Sequence, residues 1–181
     1  MSMSRSLFPT LIAALALVGC GASGSDVKRA QQDGPCPEGT RELKPRDVLP
    51  TTPRRTRLGQ ADPTDAKRYV EPFEAALGDH LKSVRTGVVL ERNANFGTAV
   101  VVVNGTEKMG DPRDVLAGAQ DSARPGTNPR AYTIAGRPGM ISEESDGAIA
   151  AVAISDCAMV MLSGPDTPMV KQIAGHLQAQ D

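Results

Sequence analysis

Two histidines, His80 and His176, are the side chains best suited to proton transfer or metal ligation near neutral pH. Zinc normally takes three or four Cys, His or carboxylate ligands, often in closely spaced pairs. Neither histidine has such a partner at ligand spacing in the sequence. His80 follows Asp79 at an expected helix end and His176 falls in the last turn of an expected final helix, where a basic ring complements the helix dipole. The acids Glu143, Glu144 and Asp146 form a cluster before Gly147. A pair of carboxylates could work as acid and base on a glycan, and an acidic loop could hold calcium. The cluster lacks the alternating Asp spacing of a calcium loop and reads as a solvated turn. Ser142, Ser145, Ser155 and Ser163 are expected in turns, and no Gly-x-Ser-x-Gly elbow, P-loop, Gly-x-Gly-x-x-Gly or Ser-x-x-Lys set surrounds them. Asn104-Gly105-Thr106 has the form of a glycosylation sequon and is read as a turn. The expectation is therefore no catalytic residue, no metal and no cofactor.

The fourth class of reactive side chain is cysteine, at positions 20, 36 and 157. Cys20 has a distinctive setting. Arg5 precedes the apolar run Leu11 to Val18, which is too short to span a bilayer, and Gly19 then brings the chain to Cys20. A basic start, a short apolar stretch and small residues at a boundary are the layout of a secretory signal peptide. Leu17-Val18-Gly19-Cys20 resembles the lipobox of bacterial lipoproteins. That resemblance implies a precursor with a signal peptide at 1–19, diacylglycerol and further acyl groups such as palmitate on Cys20, and attachment to a cell membrane at its extracytoplasmic face. It covers the targeting segment alone. With Cys20 alkylated, Cys36 and Cys157 remain, and an even remainder in an exported chain reads as one disulfide. A redox pair or two free thiols are the alternatives, although the pair lacks the proximity of a Cys-x-x-Cys motif.

Removal of residues 1–19 leaves 19 Lys and Arg against 21 Asp and Glu, because Arg5 leaves with the leader. A near-neutral chain has no electrostatic footprint for nucleic acid. The aromatic side chains beyond the leader are Tyr69, Phe73, Phe96 and Tyr132, with no tryptophan. Sugars and single-stranded bases are usually held by stacking on such rings, so both ligand classes are disfavoured.

The elements that would position these groups follow from pattern. Residues 20–61, rich in Gly, Pro and polar side chains, are expected to be the lipidated cysteine and a flexible tether, with Arg54, Arg55 and Arg57 as a solvated basic cluster. Residues 62–181 are expected to form a single α+β domain. Asp62-Pro63-Thr64-Asp65 has the chemistry of a helix start, and Tyr69, Phe73, Leu77 and Leu81 fall on one face of that helix, which Pro72 should kink or divide. Two strands at 84–92 and 98–103 read as a hairpin. Asp111-Pro112 opens a second helix. A strand broken near Gly136-Arg137-Pro138-Gly139 follows, and 148–154 with 157–162 make a hairpin that is apolar on both faces. Asp166-Thr167-Pro168 opens a last helix with the stripe Met169, Val170, Ile173, Ala174 and Leu177. The order is α-β-β-α-β-β-β-α, a largely antiparallel sheet of about five strands with helices packed on it.

The expected function is that of a membrane-anchored extracytoplasmic lipoprotein with a non-catalytic binding or envelope-accessory domain. Its expected partners are the membrane, through Cys20, and an envelope protein, with no nucleic acid. A carrier of an apolar ligand is the alternative, and an envelope hydrolase using Glu143, Glu144 and Asp146 or a serine is a third reading.

Overall fold

The computed structural model describes residues 31–91, 97–120, 129–144 and 147–180. In chain order these hold β1 (Gln31–Pro35), α1 (Pro45–Val48), β2 (Thr56–Gly59), α2 (Pro63–Leu77), a 3-10 turn (Gly78–His80), β3 (Leu81–Glu91), β4 (Gly97–Gly105) and β5 (Glu107–Met109). Then come α3 (Pro112–Gln120), β6 (Arg130–Ile134), β7 (Arg137–Glu144), β8 (Gly147–Ser155), β9 (Ala158–Gly164) and α4 (Thr167–Ala174).

Helix starts form where the Asp-Pro chemistry places them. The Asp62 carboxylate accepts the Thr64 N–H at 2.9 Å, Asp111 accepts that of Arg113 at 2.9 Å, and Asp166 accepts that of Met169 at 2.7 Å. Each satisfies an amide that the first turn leaves unpaired. Pro72 stands inside α2, which is one continuous 15-residue helix and not two. Phe73 and Leu77 bury their side chains and hold the helix together across the amide that Pro72 lacks.

Among the described residues, the main sheet has seven strands in the order β2-β3-β4-β9-β8-β7-β6, all antiparallel, and β1 pairs with β5 in a separate two-stranded sheet. The chain steps from β2 to β4, crosses to the far edge at β6, and steps back inward until β9 pairs with β4. Val100 to Val103 on β4 are each fully buried, because helices cover both faces of the sheet centre. On one face Val100, Val102, Val152, Ile154, Val160 and Leu162 pack under α1 and α4. On the other, Val101, Val103, Met159 and Met161 pack under α2 and α3.

Three expectations change. The main sheet has seven strands where about five were expected. The "broken strand" is a hairpin: β6 and β7 turn at Ala135 and Gly136, whose φ values of 52° and 75° are the paired positive angles of a type I′ connection. Residues 31–61 are not tether, since they contribute β1, α1 and β2, and Leu43, Val48 and Leu49 are buried in the core. The folded body therefore begins no later than Gln31, not at Asp62. These apolar residues are too few and too irregular to produce a periodic signal. They are held by contacts from far along the chain.

Candidate functional site

Segment 36–60 crosses the α1 side of the sheet, fixed at successive points. Cys36 is disulfide-bonded to Cys157, as the cysteine count suggested, and its N–H donates to the Thr106 carbonyl at 2.9 Å. The Lys82 ammonium donates to the Thr40 carbonyl at 2.9 Å, and the Arg85 guanidinium meets the Glu42 carboxylate at 2.8 Å. Hydrogen bonds from Arg85 and then Ser83 hold the Glu42 carboxyl below the usual glutamate range, against a smaller opposing effect of burial.

Leu43 is docked by a side chain that mimics a neighbouring strand. The Asn104 amide oxygen accepts the Leu43 N–H at 2.8 Å, and its Nδ2 donates to the Leu43 carbonyl at 3.1 Å and to Ser83 Oγ at 3.2 Å. Asn104 is 3% exposed, so the formal sequon is a structural site closed to any glycan and not a surface turn. The signal in the sequence is its position directly after the apolar run Ala99 to Val103.

Beyond Leu43, Asp47 accepts the Lys44 N–H at 2.8 Å and pairs with Arg41, starting the single turn of α1. Pro45 rests directly on β3 at Gly87, where an added Cβ would lie 3.1 Å from the Pro45 Cβ and would have to push it back by a few tenths of an ångström. The C-terminal segment clamps the far side: the Gln178 N–H donates to the Val48 carbonyl at 2.9 Å and Gln180 Nε2 to that of Asp47 at 3.1 Å. A tight turn then leads into β2, with the Thr56 N–H donating to the Pro53 carbonyl at 3.2 Å. Arg55 in this turn has φ 66°, a left-handed conformation in a residue with a side chain.

Between α1 and the β2–β3 edge lies an open groove of about 840 Å³. Its charged lining is Arg41, Lys44, Arg46 and Arg85 against Asp47, with Leu58 as an apolar floor. No histidine, cysteine or serine lines it. Arg41 and Arg85 are engaged with Asp47 and Glu42, whereas Lys44 and Arg46 have no ion pair among the described residues. Guanidinium and ammonium groups so placed can donate charge-assisted hydrogen bonds to a phosphate or carboxylate. They provide no nucleophile paired with a base.

The other residues singled out in the sequence stay apart. His80 Nδ1 is 3.1 Å from Glu107, and His176 Nδ1 is 3.2 Å from Thr51 Oγ1. Glu143 is exposed on β7 and Glu144 ends that strand opposite Gly147, while Ser145, Asp146 and Cys20 lie outside the described residues. Ser142 is not in a turn: it is buried on β7, its hydroxyl without a partner among the described residues. Ser155 Oγ accepts the Cys157 N–H at 3.3 Å, which is turn chemistry. Among the described residues no three His, Cys, Asp or Glu side chains gather as a metal site, and no helix is long and apolar enough to cross a membrane.

Together these define an α+β protein with a disulfide-pinned N-terminal segment and a cationic groove beside the sheet edge. Comparison with protein-family models, curated proteins and solved structures returned no match.

Proposed function

We propose that the chain is a bacterial lipoprotein precursor, anchored by acyl chains on Cys20 at the extracytoplasmic face of a cell membrane. Its folded part serves as a non-catalytic binding or envelope-accessory domain. The observation that carries the reading is Leu17-Val18-Gly19-Cys20 at the end of a short apolar run. Acylation there is strong anchoring, since each buried methylene contributes about 0.8 kcal/mol and two or three chains act together. The Cys36–Cys157 disulfide supports it, because such bonds persist in oxidising compartments. A groove lined by cations with no nucleophile and base side by side favours binding over bond cleavage. The same charged, open lining is unsuited to an apolar cargo, which needs an enclosed apolar volume.

Metabolic labelling with a palmitate analogue tests the anchor. The parent chain labels and fractionates with membranes, and Cys20→Ala does neither. Equal labelling of the two refutes the anchor. Crosslinking in intact cells with mass spectrometry of the captured chains then addresses the binding role.

A further inference from the structure

We propose that the groove and the arginine turn beside it form a headgroup-binding face, which holds the folded domain against anionic lipid in the membrane that Cys20 enters. The inference rests on the anchored reading above and adds an orientation and a ligand class, the phosphodiester of an anionic phospholipid.

Charge is the first argument. Residues 41–60 carry Arg41, Lys44, Arg46, Arg54, Arg55 and Arg57 against Glu42 and Asp47, in a chain whose formal net charge is −1. Lys44, Arg46, Arg54 and Arg55 are all exposed, and none has an ion pair among the described residues, whereas Arg57 alternates with Leu58 on β2 and leaves the sheet on the other face. Helix α2 packs on the opposite face of the sheet, and residues 62–80 bear five carboxylates, Asp62, Asp65, Glu71, Glu74 and Asp79, against Lys67 and Arg68. An anionic plane therefore attracts one face and repels the other.

Rigidity is the second. These cations do not sit on a linker. α1 is fixed through Leu43 on Asn104 and Pro45 on Gly87, and β2 is in register with β3 from Thr56 opposite Glu91 to Gly59 opposite Val88. Arg55 occupies a left-handed position that glycine would fill without strain, so a guanidinium is presented where the backbone alone would favour none. Planar guanidinium groups match phosphate oxygens two at a time.

Reach is the third. From Cys20 to Gln31, where β1 begins, a fully extended chain covers at most about 40 Å. The folded body is thus kept near the headgroup plane, and weak contacts become effectively intramolecular.

The test uses the full mature chain carrying Cys20→Ala, so that headgroup binding is read without acyl chains. It is sedimented with vesicles of phosphatidylglycerol in phosphatidylcholine, with vesicles of phosphatidylcholine alone, and with soluble polyphosphate at matched phosphate concentration. The expected result is binding to the phosphatidylglycerol vesicles alone, weakened by salt. Each basic side chain near an anionic surface contributes about a fivefold factor, so Arg54→Gln and Arg55→Gly combined weaken binding about 25-fold. Arg55→Gly by itself weakens binding without lowering the denaturation midpoint, an outcome that a purely structural role for Arg55 does not give. Equal binding to both vesicle types, or a double variant that binds like the parent, overturns the proposal. Equal affinity for soluble polyphosphate assigns the face to a polymeric anion and overturns the lipid headgroup as occupant. Palmitate labelling of the parent on Cys20 is scored separately: label without vesicle binding leaves the anchor standing and removes this inference, and vesicle binding without label does the reverse.

Discussion

Replacing Asn104 by alanine is the perturbation that most sharply tests whether segment 36–60 belongs to the fold. The Asn104 amide satisfies both the N–H and the carbonyl of Leu43, a residue that is 7% exposed. Truncation leaves two buried backbone groups without partners, and each such group costs about 1–3 kcal/mol. Partial relaxation of the Leu43 segment toward solvent lowers the sum, so a loss of about 2–5 kcal/mol is expected. Ser83→Ala removes a single half-buried partner of the same amide and should cost about 0.5–1.5 kcal/mol. Urea denaturation of the disulfide-intact chain gives both values. Hydrogen exchange adds the local readout: the Leu43 amide is protected in the parent and exchanges rapidly in Asn104→Ala. A change within about 0.5 kcal/mol for Asn104→Ala, together with fast Leu43 exchange in the parent, would refute the docking of this segment.

Three further outcomes follow from the same structure. Ile173→Ala on α4, fully buried against β8 and β9, should cost about 2–5 kcal/mol, whereas exposed Glu143→Ala should stay within about 0.5 kcal/mol; denaturation with and without chelator checks both, and a large loss at Glu143 would mark a site where a surface residue is described. Joint replacement of Cys36 and Cys157 by alanine releases a loop of 121 residues and should cost up to about 4–5 kcal/mol by loop-closure entropy, read as a fall in the denaturation midpoint relative to the oxidised parent. Glu42 titrates below its ordinary range in the folded chain, so its pairing with Arg85 is fully stabilising above the ordinary glutamate pKa and is lost as pH falls through the depressed value; carboxyl NMR should find this shift reduced in Arg85→Gln, with the part due to Ser83 remaining, and an unchanged titration would contradict the pairing.

Much of the sheet and its covering helices could be read from the residues because the signals there are local. Asp-Pro starts specify helix ends through hydrogen bonds two or three residues away. The two-faced burial of β8 follows from apolar side chains on both parities of one strand, with Ala151 on one side and Val152 and Ile154 on the other. The Cys36–Cys157 pairing followed once Cys20 was set aside for acylation. What escaped reading is held by long-range contacts. α1 and β2 depend on Asn104, Gly87 and Gln178, residues that lie about 30–130 positions away in sequence and carry no mark of their role. Gly136-Arg137-Pro138-Gly139 reads as an interruption because Gly and Pro break strands, and the turn at Ala135-Gly136 carries no sequence mark because positive φ at alanine is uncommon. The groove is a juxtaposition of α1 with the β2–β3 edge, and no local pattern marks Arg41, Lys44, Arg46 and Arg85 as lining one space.

The anchor at Cys20 is the claim on which the functional account turns, and mass spectrometry of the N-terminal tryptic peptide from membrane-extracted protein tests it most directly. The account predicts a peptide that begins at Cys20, lacks residues 1–19, ends at Lys28 and carries the mass of diacylglycerol on its first residue, with or without a further acyl group. An unmodified Cys20 peptide, or one in which Gly19 is still joined to Cys20, would contradict it.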